Sequence, residues 1–278
     1  MKYSIVIPSL ASVTAPYLKL CVESLRASGF DGEIIVVTNG TSIAETLNIK
    51  GISRRLHTRT QGQCNAVNIG ASVVTTEYMM VSNDDMYYAP GWDKNLRFDY
   101  PVFSPNLVEP TNNPGSAKPF LKFNGGFDLD EFGQDVVNNY IITCLSNKNG
   151  NFKQPSMDKI EQGFNLPFFI KKDLWDFLKG YDTAYDPWGS NSDTDLQTRI
   201  DLAGVTPMRL RDVLVYHFSN KSGTFDGTHQ DFYQNNIEYF KSKFGFDRDE
   251  LGSDVWYNKD MLPKDPSKIK YKQKKYET

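Results

Sequence analysis

The chain has 278 residues, 39% of them hydrophobic and 23% charged, with a net charge of -3 at neutral pH, a profile that suits a soluble globular protein with a sizeable core. The slight acidic balance speaks against bulk nucleic-acid binding, which shows as a basic excess, and no stretch approaches the roughly 18 apolar residues of a membrane span. Met1 to Pro8 is too short an apolar run for a signal peptide. Cys21, Cys64 and Cys144 are odd in number, with no CxxC or zinc spacing, so reduced thiols in a cytoplasmic protein are expected. The sequons Asn39-Gly40-Thr41 and Asn220-Lys221-Ser222 then read as chance matches.

In chain order, Ser4 to Ile7 reads as a buried strand stopped by Pro8. Leu18, Cys21, Val22 and Leu25 recur at helical spacing, and Gly29 ends that helix. Ile34 to Val37 is a second buried strand, closed by the turn signal Thr38-Asn39-Gly40-Thr41. A helix is expected from Gln63 to Val73 and a third buried strand over Tyr78 to Val81. This alternation predicts an α/β fold with a mainly parallel, doubly wound, Rossmann-like sheet and helices on both faces. Ligands of such sheets sit beyond the carboxyl ends of the strands, which here carry Pro8-Ser9, Thr38-Asn39 and Asn83-Asp84-Asp85.

Residues 101–160 are rich in Asn, Pro, Gly and Phe, with one helix expected near Asp130 to Leu145, and read as an inserted subdomain laid over the sheet. Alternation returns from Phe164 to Lys171, followed by helices near Asp173 to Leu178 and from Ser192 to Ala203. Val213 to Tyr216 is a late strand leading into His217, and Asn235 to Phe244 is helical. From Pro263 the chain is polar and lysine-rich, expected to be a solvated, disordered tail; contact with an anionic membrane surface or a polyanionic acceptor is its other use. Four segments result: 1–100, 101–160, 161–245 and 246–278.

Asp84 and Asp85 directly follow a buried strand, where a loop can expose them. Carboxylates placed so can hold a divalent cation that neutralises charge on a departing diphosphate. Oxygen ligands suit magnesium or manganese, and an added imidazole tilts the choice toward manganese. A turn explains the same residues, since Asn and Asp are common turn formers.

Wider context resembles the family 2 glycosyltransferases, inverting enzymes of GT-A fold. The resemblance rests on Val6-Ile7-Pro8-Ser9, on Gly62 with Ala66-Val67-Asn68-Ile69-Gly70, on Glu77 to Asp85, and on Pro90-Gly91-Trp92. It implies residues 1–100 as the nucleotide-sugar-binding half, with Pro8, Ser9, Thr38, Asn39, Asn68, Asn83 and Asp84 on the donor and Asp85 as metal ligand. Residues 181–199 resemble the family's second acidic segment. Counting back from Arg199, Asp193 takes the place of the catalytic base and Ser192 that of the preceding Glu. A carboxylate there would take the proton of an acceptor hydroxyl, and in a first helical turn it would also act as a cap. Asp195 reads as a salt-bridge or acceptor-positioning residue. His217, after the late strand, matches the position where GT-A enzymes commonly contact metal or pyrophosphate, and Lys221 reads as a loop lysine within reach of a phosphate. Residues 161–245 then form the acceptor-side and catalytic-base half.

The chain departs from the family pattern at Thr38 and Asn39, where an aspartate usually ends the second strand, and at Val67, Asn83 and Ser192. The leading expectation is an inverting, metal-dependent transfer of sugar from a nucleotide-sugar donor to a glycan or other hydroxyl acceptor, with Trp92 and Trp188 as sugar-stacking candidates. An inactive sugar-nucleotide or glycan-binding protein on the same scaffold is the alternative. A nucleotidyltransferase would carry a Gly-rich basic loop after the first strand, and Ser9 to Thr14 is not one. His57 and His229 have no comparable context.

Overall fold

A computed structural model of the chain describes residues 2–40, 43–111, 121–146, 160–222, 229–247 and 262–277. The elements in order are β1 (Tyr3–Ser9), α1 (Ala11–Ala27), β2 (Ile34–Asn39), β3 (Arg54–Thr58), α2 (Gln63–Ala71), β4 (Tyr78–Val81), β5 (Met86–Tyr87), β6 (Val102–Glu109) and β7 (Leu121–Lys122). They continue with α3 (Gln134–Ser146), β8 (Ile160–Gln162), β9 (Phe168–Lys171), α4 (Lys172–Leu178), α5 (Ser192–Leu202), β10 (Met208–His217) and α6 (Gln230–Phe244).

The strands form one mixed sheet of order β3-β2-β1-β4-β9-β6-β10-β5. Because β9 is antiparallel to both neighbours, β1, β2, β3, β4, β6 and β10 all run the same way. Alternate side chains feed two cores. Ile5, Ile7, Ile34 and Val36 pack under α1, whereas Val6, Ile35 and Val37 pack under α2, α4, α5 and α6. A strand buried on both faces needs apolar residues at successive positions, which is why these runs were legible. A third cluster joins α3 to the far end of β6 and β10 through Val137, Val108 and Leu214.

Two expectations change here. The segment expected to lie over the sheet from residue 101 begins with a central strand, β6, buried along its whole length between β9 and β10. Its pattern is masked by Ser104, Pro105 and Asn106. Those polar groups are satisfied internally: Ser104 donates to the Asn165 carbonyl at 2.9 Å, and Asn165 Nδ2 donates to the Pro105 carbonyl at 3.0 Å. Much of the remaining segment, residues 112–120 and 147–159, lies outside the described residues.

The lysine-rich end is not a loose tail over residues 262–277. Ile269, Tyr271 and Tyr276 pack against the core beneath α5 and α6, while Lys268, Lys270, Lys272 and Lys274 face solvent. Lys270 N–H donates to Phe244 at 2.8 Å, and Tyr276 N–H donates to Ala203 at 2.9 Å. The apolar anchors between the lysines supply burial that a count of charges overlooks.

Candidate active site

The common strand direction gathers polar residues at one edge of the sheet. Asn39 ends β2, Asn83 to Asp85 follow β4, Glu109 ends β6 and His217 ends β10. The two-residue strand β5 does the fine placement. Met86 pairs with His217 and Tyr87 with Tyr216, and Phe218 N–H donates to the Asp85 carbonyl at 3.0 Å. The Asp85 carboxylate and the His217 imidazole are thereby brought together from distant parts of the chain.

His217 Nε2 lies 3.4 Å from Asp85 Oδ1, and its Nδ1 lies 2.9 Å from Glu109 Oε1. Asp85 is 5% exposed and Glu109 3%, so the imidazole is held between two buried carboxylates. Burial opposes charge on the ring, but Asp85 and Glu109 outweigh it and raise His217 to about 10. Burial likewise opposes ionisation of Asp85, yet the facing imidazolium holds its carboxyl below the usual range. Lys221 N–H adds a long contact of 3.4 Å to Asp85 Oδ2. Oδ1 of Asp85 is buried with no hydrogen-bond partner; the Nε2 contact is an ion-pair distance without hydrogen-bond alignment.

Asp84 behaves oppositely. Burial, then the Asp85 charge, push it up to about 7, against the Ser9 and Thr14 hydroxyls. Thr14 Oγ1 donates to its Oδ2 at 2.5 Å. Two adjacent carboxyls thus differ in charge, and the doublet carries less than two negative charges.

A cleft opens at this edge. Pro8, Asn39, Asn83, Asp84 and Asp85 line one side, while Asp193, Trp188 and His217 complete the wall. The structure therefore brings together most of the residues expected from sequence. Asn39 does so with its amide already engaged, donating to the Ser9 carbonyl at 3.1 Å and accepting from Gly62 N–H at 3.0 Å.

Three expected donor contacts are not on the cleft wall. Ser9 turns its hydroxyl toward Thr14 and Asp84. Thr38 is fully buried, bonded to the Leu56 carbonyl and to His57 Nδ1. Asn68 spends its amide on Tyr181, as donor to the carbonyl at 2.8 Å and acceptor from N–H at 2.9 Å. Trp92 is a core residue, fully buried with its indole N–H on Ser28 Oγ. Lys221 is turned toward the Asp128 carboxylate, 2.7 Å away, and lies over the Phe127 ring.

On the opposite side Asp193 lies in the first turn of α5 and accepts from Tyr181 Oη at 2.6 Å. Asp195, the next acid on the helix, is fully buried and paired with Arg199 and with Lys243 of α6, both at 2.5 Å. That is the salt-bridge role its position suggested. Trp188 lies on the cleft wall with its ring stacked on His229 at 3.5 Å.

Sequence reading gave no role to Glu109 or Tyr181 and set His229 aside. An acid closing the run Val102 to Glu109 was a usable signal for the first, since acids are rarely fully buried without a partner. The other two have meaning only through the neighbours that folding supplies. Among the described residues no group of three or more His, Cys, Asp and Glu side chains is arranged to hold a metal ion. The protein's own share of any cation site here would be the Asp85–His217 pair.

Residues 4–97 match the family model described as Glycosyl transferase family 2, a stretch running from β1 through β5. Among solved structures, the chain is similar to GalNAc-T7, crystallised with UDP, GalNAc and Mn2+, at a TM-score of 0.50 and 14% identity, over 78% of this chain and 44% of that one. It is also similar to residues 1–349 of TarS from S. aureus, at a TM-score of 0.50 and 12% identity, over 91% of this chain and 75% of that one. The chain thus spans less than half the length of the GalNAc-T7 chain. No curated protein matches it. The chain thus carries a glycosyl transferase family 2 match over β1 to β5 on a GT-A fold similar to that of both structures.

Proposed function

We propose that the protein is a metal-dependent, inverting glycosyltransferase that moves a sugar from a nucleotide-sugar donor to a hydroxyl of a glycan or other acceptor. The observation that carries this reading is the buried Oδ1 of Asp85, which has no hydrogen-bond partner and faces His217 Nε2 at 3.4 Å, on the wall of the cleft that Asp193 also lines. One carboxylate oxygen and one imidazole nitrogen, the latter once the cation displaces its Nε2 proton, suit manganese or magnesium, with the remaining positions left for donor phosphates and water. When bound, the cation would neutralise the diphosphate as the glycosidic bond breaks. GalNAc-T7, similar in fold, was crystallised with UDP and Mn2+, which accords with that donor set.

Pro8, Asn39, Asn83 and Asp84 form the donor side of the cleft. Asp193, across it, takes the acceptor hydroxyl proton while that oxygen attacks the anomeric carbon and the bond to the diphosphate breaks, inverting the configuration. The helix N-terminus favours the ionised carboxylate needed for this. Trp188, an apolar face held by His229, provides a stacking surface for a sugar ring.

Incubation with a panel of nucleotide sugars, in manganese or in chelator, tests the reading. Release of nucleoside diphosphate in manganese, its loss in chelator and an inverted product anomer by NMR are expected. If no donor is turned over with any candidate acceptor, the protein is a binding scaffold instead. Buried free thiols at Cys21, Cys64 and Cys144 suit a reducing, cytoplasmic setting, and no helix among the described residues is long and apolar enough to cross a membrane.

A further inference from the structure

We infer that Asn68 and Tyr181 are positioning residues for the base, Asn68 fixing the Tyr181 backbone and the Tyr181 hydroxyl fixing Asp193. The inference rests on the proposed role of Asp193. Asn68 lies in the family-matching part of the chain, where its amide was expected to face the donor. Instead it meets the backbone of Tyr181 with both ends, at 2.8 and 2.9 Å, as one strand meets another. The fit leaves no slack: a Cβ on Gly180 would stand 2.3 Å from Asn68 Oδ1. Arg199 completes the clamp by donating to the carbonyls of Leu178 and Gly180, both at 2.8 Å.

The Tyr181 side chain then has a single course. It is 2% exposed and packed edge-on against Trp175 and Phe168, so its ring is fixed by contacts unrelated to substrate. Its hydroxyl ends 2.6 Å from Asp193 Oδ1. A neutral donor so placed fixes the rotamer of the carboxylate, directs its second oxygen, and favours the ionised form that accepts a proton.

The same helix, α2, holds the segment at a second point. Gly62, its N-cap, has no side chain to give, and Asp186 accepts from the N–H groups of Cys64 and Asn65 at 3.0 and 2.9 Å. A Cβ on Gly62, at φ +150°, would fall 2.1 Å from Asp186 Cγ. Nine residues of helix therefore set the spacing of Tyr181 and Asp186, and with them the start of α5 that carries Asp193. A motif in the first half of the chain acts on the chemistry of the second.

The test compares wild type, Tyr181→Phe, Asn68→Asp and, as a control on a distant hydroxyl, Tyr276→Phe. Tyr181→Phe is expected to lower kcat about tenfold, leave the donor KM within twofold, and move the acid limb of the kcat–pH profile up by about one unit. Asn68→Asp, which keeps the acceptor and loses the donor, should move both quantities the same way by less, and Tyr276→Phe should move neither. Should Tyr181→Phe not fold, 3-fluorotyrosine at position 181, a stronger donor, is expected to move the acid limb down. An unchanged profile, or a fall in kcat with an unmoved acid limb, overturns the inference. If wild type turns over no donor, the proposed function fails by itself. NMR titration of the Asp193 carboxyl, assigned with Asp193→Asn, then decides the positioning: an upward shift in Tyr181→Phe supports it and no shift overturns it.

Discussion

His217 Nε2 stands 3.4 Å from Asp85 Oδ1, and the contact exists because two residues of β5 pair with the last two of β10. The register fixes which side chains meet. A slip of one residue would turn Asp85 to the opposite face and leave His217 against an apolar neighbour.

Asp85→Asn tests the importance of this pair. The amide keeps the shape but loses the charge that a cation and the imidazolium both use. Turnover is expected to fall by about 100-fold or more, with manganese affinity falling in parallel by calorimetric titration. Full turnover and unchanged metal affinity in this variant would remove Asp85 from the site.

Glu109 approaches the same imidazole from behind, at Nδ1. It fixes which nitrogen faces Asp85 without facing the cleft itself. Glu109→Ala is expected to weaken manganese binding by about 10- to 100-fold, the usual effect of losing a carboxylate behind a histidine ligand. Nitrogen NMR of His217 should show a mobile ring in this variant and a fixed one in wild type.

Asp201, near the end of α5, is raised to about 7 by burial alone. An unfolded aspartate titrates near 3.9, so between about pH 4 and 7 the native state holds a proton that the unfolded chain has lost. The cost to stability is absent below about pH 4, grows through that window, and is constant above about pH 7. Asp201→Asn removes it. Thermal melts should show a gain at pH 8 of roughly 2 kcal/mol, a figure discounted for partial exposure, and no gain near pH 4. A variant equally stable to wild type at both pH values would contradict the assignment.

Lys243 reaches from α6 to both Asp182 and the fully buried Asp195. Lys243→Met leaves Asp195 with Arg199 as its one charged partner, beside the Tyr185 hydroxyl. Breaking one side of such a buried cluster is expected to cost about 3 kcal/mol, measured as a lowered urea midpoint. The solvated pair Lys19–Glu23 on α1 offers the contrast, and Lys19→Met should change stability by less than about 0.5 kcal/mol.

The sequence by itself determined the strands of both cores and the residues at their carboxyl ends. Val6, Val36 and Met80 lie in runs of successive apolar residues, which a strand covered on both faces requires. Asp84, Asp85 and His217 could be read because each follows such a run and a parallel sheet exposes that end. The spacing to Trp92 served a register that was informative, although Trp92 itself is core.

Tertiary structure decided which polar side chain meets which. Thr38, Asn39 and Asn68 look alike in sequence, as small polar residues near strand ends or in a family motif. Folding sends Thr38 inward, locks Asn39 into the cleft wall and gives Asn68 to Tyr181. Glu109 was obscured because β6 contains Ser104 and Asn106, which break its apolar run; Ser104 is satisfied by Asn165 from far along the chain and Asn106 by the Leu107 N–H beside it. Apolar periodicity is a local property and survives in the sequence. Hydrogen-bond partnership between distant residues is not local, and it comes into being only when the strands are ordered.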